Sequence, residues 1–429
     1  MLLKNGLVAT LDPQHVERVN LRIEGDRIVE RAATLAPAAG EEVVELHDAL
    51  VLPGLVNAHT HLYSALARGM PGPAAPPSSF VEILERVWWR LDRALDEESV
   101  YLSGLVGAIE AARSGTTVLF DHHSSPSFIR GSLATLRRAV EQVGLRSVLC
   151  YETTDRNGLD DREAGIAENR EFLAGGKTTL TLGMVGAHAS LTLSDESLDR
   201  LSAAVEEANS SLHIHVAEGR ADVEDCQRRC GVGVIERLQR HGLLGRRTIL
   251  AHGVHLSEGE LQEAQASGAW LVHNPRSNMN NAVGHARTEA FRRSALGTDG
   301  LDQDVLAETR AAYLKMRDTD RVDALPAVLA MIVGGHRLAA GVFGLPLGTL
   351  EEDAPADLVV LDYRPPTPLT SENLAGHVLF GLDRSHVRST MVAGRFVLRD
   401  RRVTTVDEAA AFARARAAAA ALWERMQAL

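Results

Sequence analysis

The chain has 429 residues, of which 45% are hydrophobic and 24% are charged. This composition is typical of a globular protein, and the length allows one large domain beside a smaller one. The formal net charge of −12 gives no basic face, which argues against a nucleic-acid partner.

The number of cysteines and the sequence of the amino terminus indicate in which cellular compartment the protein is expected. Cys150, Cys226 and Cys230 are too few for a disulfide framework, which favours a reducing compartment. The chain begins with strand-like alternation rather than a basic segment and an apolar run, so no signal peptide is expected. No run of about 18 apolar residues is evident, so no membrane span is expected. These features predict a cytoplasmic protein without a membrane partner.

The first segment reads as short strands separated by turn-forming residues, up to a break at Pro53-Gly54. The predicted strands are Leu2–Leu11, Asn20–Ile23, Arg27–Ile28 and Ala49–Leu52.

After this break, apolar strand-like runs alternate with amphipathic helical segments. Eight such strands, each apolar on both faces, indicate a parallel sheet covered by helices, and their number favours a (β/α)8 barrel. The predicted strands are Leu55–Asn57, Thr117–Phe120, Ser147–Tyr151, Thr181–Val185, Leu212–His215, Thr248–Ala251, Trp270–Val272 and Ala295–Gly297. Helices predicted between them include Ser197–Ala208, Ala221–His241 and Leu256–Ala266.

Two helices, about 303–317 and 322–338, precede returning strand signals, and a helix is expected from Asp407. The late predicted strands are Asp357–Leu361, His386–Val392 and Arg395–Leu398. The expected fold is therefore α/β, with a TIM-like (β/α)8 barrel over residues 54–352. A small composite β-sandwich domain, with the terminal helix, is expected from residues 1–53 and 353–429.

Histidines mark the ends of the predicted barrel strands, where the working residues of such barrels gather. His59 and His61 end the first strand, and their spacing of two directs both rings the same way, so that they can share a metal. On the fifth strand His215 lies nearer the carboxyl end than His213, which makes His215 the predicted third ligand. Glu218 then follows on the loop above, in a position suited to proton transfer.

The sixth and eighth strands end in His252 and Asp299. The imidazole of His252 is expected at the barrel rim, and the carboxylate of Asp299 opposite the first-strand histidines. Three imidazoles and a carboxylate suit Zn²⁺, with Fe²⁺ as the alternative.

These motifs resemble the amidohydrolase superfamily, specifically its Atz/Trz and cytosine-deaminase-like branch. The resemblance covers almost the whole chain and includes PGLVNAHTHLYSALARG, HIHVAEG, LAHGVHL, HNPRSNM and LGTDG. Finer features, such as WWRLDRALDEES, DHHSSP and CYETTDRNG, are similar to the SsnA-type aminohydrolases.

The resemblance implies one metal held by His59, His61, His215 and Asp299, with Glu218 and His252 as catalytic partners. No lysine ends the fourth strand, so the carboxylated lysine that bridges two metals in other branches is not expected. It also implies a composite β-sandwich from both ends of the chain.

The expected reaction is deamination of a nitrogen heterocycle of the purine, pterin or pyrimidine type, by attack of metal-bound hydroxide with release of ammonia. Asp299 would accept the proton of the water, and Glu218 would protonate the ring. The alternative keeps the same site but opens a cyclic amide or displaces another leaving group. The third hypothesis is a metal-binding barrel without catalysis. It does not explain why Glu218, His252 and Asp299 occur together at the strand ends.

Polar and aromatic residues at other strand ends are candidates for contact with a small heterocyclic substrate. Trp88 and Trp89 begin a helix that is expected either to fold over the barrel mouth or to serve as a core or subunit anchor. A homodimer paired through exposed helices is a further expectation. The predicted substrate-binding residues are Tyr63, Arg68, Trp88, His122, Glu152, Arg156 and His188.

Overall fold

The computed structural model describes residues 1–288 and 291–429, which form two β-sheets and the helices that cover them. The early strands are β1 (Leu2–Leu11), β2 (Gln14–Glu24), β3 (Arg27–Ala32), β4 (Val43–Glu45) and β5 (Leu50–Pro53). The middle strands are β6 (Leu55–Thr60), β7 (Thr116–His123), β8 (Arg146–Thr153), β9 (Thr181–Gly183), β10 (Val185–Ala189), β11 (Leu212–Val216), β12 (Ile249–His252), β13 (Trp270–His273) and β14 (Ser294–Leu296). The late strands are β15 (Leu358–Leu361), β16 (Val387–Val392), β17 (Arg395–Arg399) and β18 (Arg402–Val403).

Helices fill most of the connections between the strands. The first seven are α1 (Phe80–Ile83), α2 (Trp89–Ala94), α3 (Glu97–Arg113), α4 (Ser132–Val143), α5 (Leu159–Ala174), α6 (Asp195–Glu207) and α7 (Arg220–Cys230). The others are α8 (Val234–Arg240), α9 (Glu258–Ser267), α10 (Pro275–Asn280), α11 (Val305–Asp318), α12 (Ala324–Phe343), α13 (Leu374–Gly376) and α14 (Glu408–Ala428).

One sheet is the predicted (β/α)8 barrel. Its parallel strands follow the order β14-β13-β12-β11-β10-β8-β7-β6, with β9 as a short addition to β8. A parallel bridge between Thr60 and Asp299 joins the last strand to the first. At this junction a Cβ on Gly297 would lie 2.8 Å from the backbone oxygen of His59, so only glycine lets the chain approach so closely.

The second sheet contains strands from both ends of the chain, as the sequence predicts. Its order is β18-β17-β16-β15-β5-β1-β2-β3, and β4 pairs with β1. β15 lies antiparallel to β5, with Val359 opposite Leu52. A separate apolar core that includes Leu3, Leu21 and Leu358 packs within this sheet.

Two predicted elements differ from the structure. The expected strand Thr181–Val185 is split between β9 and β10, and the strand that continues the barrel runs to Ala189. The expected helix 221–241 is α7 followed by α8, because Gly231 ends α7 in the left-handed conformation with φ +69°. Apolar periodicity continues across both breaks, which is why it does not reveal them.

Among the described residues, helix α12 is the one segment long and apolar enough, by length and composition only, to cross a membrane. Its mean hydropathy is 1.5, and 56% of it is buried inside the protein. It packs against β6 and β14. A Cβ on Gly334 would lie 1.8 Å from the backbone oxygen of Ser294, so the helix backbone lies directly on the barrel. Its apolar character thus matches its burial against the barrel strands.

A buried ion pair links the barrel to the second sheet. Arg146 begins β8 and donates to both carboxylate oxygens of Asp357, at 2.7 and 3.0 Å. The two side chains are only 2% and 4% exposed. The backbone N–H of Ala393 donates to the same carboxylate at 2.9 Å, so the pair also orders the turn before β17.

We expect Asp357→Ala to lower the free energy of unfolding by about 3–5 kcal/mol, because it leaves a buried guanidinium without its counter-charge. Urea denaturation followed by circular dichroism measures this loss. The control is Glu171→Ala, which removes the exposed partner of Arg130 and should cost at most about 1 kcal/mol. Equal losses in the two variants would contradict this role for the buried pair.

Candidate metal and active site

The predicted ligands converge at the carboxyl ends of the barrel strands. His59 lies on β6 and His61 directly follows it, His215 lies on β11, and Asp299 follows β14. His61 Nε2 lies 3.0 Å from Asp299 Oδ1 and 3.1 Å from His215 Nε2. His59 Nε2 lies 3.7 Å from the same Asp299 oxygen. The strand register therefore brings four side chains from distant parts of the sequence into contact.

The other nitrogen of each ring is held by a neighbour. His61 Nδ1 donates to the backbone oxygen of His122 at 2.6 Å, and His215 Nδ1 to that of His188 at 2.9 Å. His59 Nδ1 lies 2.9 Å from His213 Nε2. His213 thus occupies the layer below, as the sequence predicts. These bonds leave all three Nε2 atoms facing the same point, as in rings oriented for a metal.

The donor set fits a divalent cation. His59 Nε2 is buried and has no hydrogen-bond partner. Burial lowers the pKa of His59 and His215 well below the usual histidine range, which keeps their lone pairs free. At His61 the Asp299 carboxylate outweighs burial and raises the pKa to about 9. The three separations that join His61 to Asp299, His61 to His215 and His59 to Asp299, at 3.0, 3.1 and 3.7 Å, are close to the edge of a tetrahedral zinc site, which is about 3.3 Å for bonds of about 2.0 Å.

His252 stands beside this cluster at the end of β12. Its Nδ1 lies 2.8 Å from Asn278 Oδ1, so Nδ1–H donates and Nε2 faces the site. Nε2 lies 3.8 Å from Asp299 Oδ2 and has no hydrogen-bond partner. Both His252 and Asp299 have left-handed backbones, with φ of 73° and 54°. Such conformations are unfavourable for residues other than glycine and are often found at functional sites.

Glu218 completes the group above the cluster. Its Oε2 lies 3.6 Å from His252 Nε2, and Asn281 Nδ2 donates to its Oε1 at 3.3 Å. Burial raises the pKa of Glu218 to about 7, with the Asp299 charge acting in the same direction and His252 against it. A large fraction of this carboxyl group therefore carries a proton at neutral pH, as a general acid requires.

A cavity opens above these residues and is closed on one side by the segment that contains α1 and α2. A π-helical turn, Leu84–Trp88, joins these two helices and places both tryptophans against the cavity. The residues that line it are His61, Tyr63, Ser64, Phe80, Leu84, Trp88, Trp89, Asp92, Glu152, His188, His215, Glu218, Ser277, Asn280, Asn281, Asp299, Gly300 and Leu301.

Four of the predicted substrate-binding residues line this cavity: Tyr63, Trp88, Glu152 and His188. His122 does not line it. Its ring points into the barrel below His61, where Nε2 donates to the backbone oxygen of Ala187 at 3.0 Å.

Arg68 and Arg156 also lie away from the cavity surface. Arg68 follows a 3-10 helix, Leu62–Ala67, that directs the chain outwards, and it pairs with Glu110 at the protein surface. The position of Arg68 is therefore a correction to the sequence analysis. Arg156 lies behind the wall, paired with Asp92 and Glu152.

Sequence reasoning did not assign several residues of this site, and three of them carry or contact its carboxylates. Asp92 is buried on α2 and lines the cavity, although its motif WWRLDRALDEES was noticed. Ser277 donates to Asp299 Oδ2, and Asn281 contacts Glu218. Both Ser277 and Asn281 belong to the NPRSNMNN segment, which therefore holds the Asp299 and Glu218 carboxylates from one side.

Known proteins of similar sequence align with nearly the whole chain. A 5-methylthioadenosine/S-adenosylhomocysteine deaminase of Desulforudis audaxviator is 33% identical over 410 residues, which are 91% of each chain. A 5'-deoxyadenosine deaminase of Methanosarcina mazei is 31% identical over 443 residues, which are 99% of each chain.

Solved structures share the fold. An adenosine deaminase from Xanthomonas campestris with bound zinc aligns with a TM-score of 0.85 at 24% identity, over 100% of this chain and 98% of the other. The zinc-bound atrazine chlorohydrolase of Arthrobacter aurescens aligns with a TM-score of 0.82 at 19% identity, over 98% and 99%.

The model of the amidohydrolase family matches residues 50–397. This match spans the barrel, all four converging ligands, and β5, β15 and β16 of the second sheet. The resemblance inferred from the motifs is thereby confirmed. The chain belongs to the amidohydrolase family and is a hydrolase that acts on carbon–nitrogen bonds other than peptide bonds.

Proposed function

We propose that this hydrolase removes an exocyclic amino group from a purine-type ring and releases it as ammonia. The observation that carries the proposal is the position of Glu218, a carboxyl group only 13% exposed and with a raised pKa, directly beside the converging residues. The site thus combines a place for a cation with a proton donor for the ring. The two relatives are named as deaminases of adenine-containing compounds, which favours a purine over a pterin or pyrimidine.

Zn²⁺ is the proposed cation, held by His59, His61, His215 and Asp299, with Fe²⁺ as the alternative. A divalent cation in this position lowers the pKa of water and so supplies a nucleophile at neutral pH. The nitrogen-rich donor set supports this choice, since Mg²⁺ and Ca²⁺ prefer oxygen ligands.

The protein's own groups then divide the proton transfers. Asp299 Oδ2 faces His252 and is positioned to take a proton from the attacking water. Glu218 donates a proton to the ring nitrogen beside the attacked carbon, which lets the ring accept the electron pair. His252 Nε2 is directed at the same space, and when the imidazole ring carries a proton on both nitrogens this N–H stabilises the negative charge that develops during attack. When the carbon–nitrogen bond breaks, the amino group takes the proton held by Asp299 and leaves as ammonia, while the proton of the new hydroxyl group returns to Glu218 and the ring keeps the carbonyl oxygen.

The walls of the cavity suit a flat ring. Tyr63, Phe80, Trp88 and Trp89 give it aromatic surface, and aromatic side chains stack on heterocycles with little loss of conformational entropy. Hydrogen-bonding groups of His188, Asn280 and Asn281 lie among them. A purine in this cavity would place its edge toward Glu218 and its face against the aromatic side chains.

The test is ammonia release by zinc-loaded protein of measured metal content, offered aminopurines, adenine nucleosides, aminopterins and aminopyrimidines. We expect ammonia in equal amount to the oxo product from a purine or its nucleoside. Opening of a cyclic amide without ammonia would favour the alternative reaction instead. Ammonia from pterins or pyrimidines alone would contradict the purine assignment.

A further inference from the structure

The cavity wall has an unusual balance of charge. Four carboxylates line it: Asp299, Glu218 and Glu152 lie beside the converging histidines, with a Glu152 oxygen within 4.8 Å of ring nitrogens of His61 and His215, and Asp92 lies on α2. Within residues 1–288 and 291–429, no lysine or arginine lines the cavity. A bound cation would balance part of the charge of Asp299 and Glu152, but it would leave the wall at Asp92 without a cationic group facing the substrate.

Arg156 lies directly behind this wall, and both of its terminal nitrogens are engaged, whereas its buried Nε has no hydrogen-bond partner. Its Nη1 donates to Glu152 Oε1 at 2.7 Å, and its Nη2 contacts Asp92 Oδ2. The same Nη2 lies 3.2 Å from Ser124 Oγ. The guanidinium carbon lies 5.2 Å from the centre of the Trp89 ring. Arg156 is therefore held by two carboxylates and an aromatic face, and is not directed at the cavity.

Asp92 retains an unused acceptor. Its Oδ2 accepts from Ser124 Oγ at 3.0 Å and contacts Arg156, whereas its Oδ1 is buried and has no hydrogen-bond partner. The side chain is 1% exposed and lines the cavity. A buried acceptor without a partner is costly, and a donor on a bound ligand would satisfy it.

We propose that Asp92 and Glu152 make the enzyme selective for the charge of the substrate. The part of the substrate remote from the reacting ring is neutral or cationic and offers a hydroxyl or amino donor to Asp92 Oδ1. Substrates with a carboxylate or phosphate at that end are excluded, because two carboxylates repel them and Arg156 is engaged. This inference rests on the proposed function, which supplies the ring-binding role of the cavity.

The experiment measures binding rather than turnover. Titration calorimetry on zinc-loaded protein compares three oxopurine ribosides whose ring has no exocyclic amino group to lose: inosine, 5'-amino-5'-deoxyinosine and inosine-5'-carboxylic acid. We expect the first two to bind and the carboxylate to bind about 100-fold more weakly than inosine, since facing like charges cost several kcal/mol.

Two variants test whether Asp92 and Glu152 cause this preference. In Asp92→Asn and in Glu152→Gln, Arg156 loses one of its two counter-charges. The affinity difference between inosine and inosine-5'-carboxylic acid should therefore shrink by about tenfold or more. The matched control is Ser124→Ala, which removes a hydroxyl from the same cluster without changing its charge. It should keep the preference of the unaltered protein. Circular dichroism confirms that each variant is folded.

The outcomes separate the two proposals. If the carboxylate ligand binds as tightly as inosine to the unaltered protein, charge selectivity is wrong, whatever the variants do. If the preference exists but both charge variants retain it in full, Asp92 and Glu152 are not its source. If no purine riboside binds and none releases ammonia, the proposed function fails, and the inference fails with it.

Discussion

Glu218→Gln is expected to lower kcat by about 10²–10⁴-fold, the usual contribution of a positioned general acid or base. Glutamine has the same shape and can still contact Asn281, but it cannot deliver a proton to the ring. The ligand cluster keeps its four members, so the metal content should remain that of the unaltered protein. Steady-state ammonia release and metal analysis on the same preparation measure both quantities.

The control for this prediction is Glu224→Gln, a change of the same kind on the exposed surface of α7. It should leave kcat unchanged. Loss of activity in Glu218→Gln together with loss of metal would show that Glu218 acts through the cluster. Full activity of Glu218→Gln would remove it from the mechanism altogether.

The converging residues could be placed from the sequence because local rules determine them. A spacing of two on a strand directs His59 and His61 to the same side, and carboxyl ends of parallel strands meet at one end of a barrel. The same rule distinguishes His215 from His213, one layer deeper, and the bond between His213 and His59 agrees with that order. No knowledge of loop structure enters these arguments.

The cavity wall could not be predicted in the same way because it depends on long-range packing. The contact between Arg156 and Asp92 joins residues 64 positions apart, and it exists only because the π-helical turn before α2 directs Asp92 inwards. Arg68 illustrates the opposite error. It follows the first ligand pair closely in sequence, but the intervening 3-10 helix carries it to the surface. Proximity in sequence predicts shared location only along a regular element.

Asp299→Ala is expected to remove both metal and activity. This carboxylate is the only anionic donor among the four converging groups, and its Oδ1 lies within 3.7 Å of His59 Nε2 and 3.0 Å of His61 Nε2. Without it the cation loses its one anionic ligand, and a divalent charge in a site of low exposure is then held by three neutral rings. We expect metal per chain near zero after dialysis and no measurable ammonia release.

A second variant, which changes a residue that supports a ligand rather than a ligand itself, makes this prediction more specific. His213→Phe keeps all four proposed ligands but removes the ring that orients His59 from below. It should weaken metal affinity by about 10–100-fold, as loss of such supporting bonds does. Excess zinc should then restore the activity of His213→Phe but not that of Asp299→Ala.

If zinc restored both variants, or if Asp299→Ala bound metal as tightly as the unaltered protein, the proposed ligand set would be wrong. Metal titration against a competing chelator distinguishes these cases, because a ligand contributes bonds to the cation whereas a supporting residue contributes only their orientation.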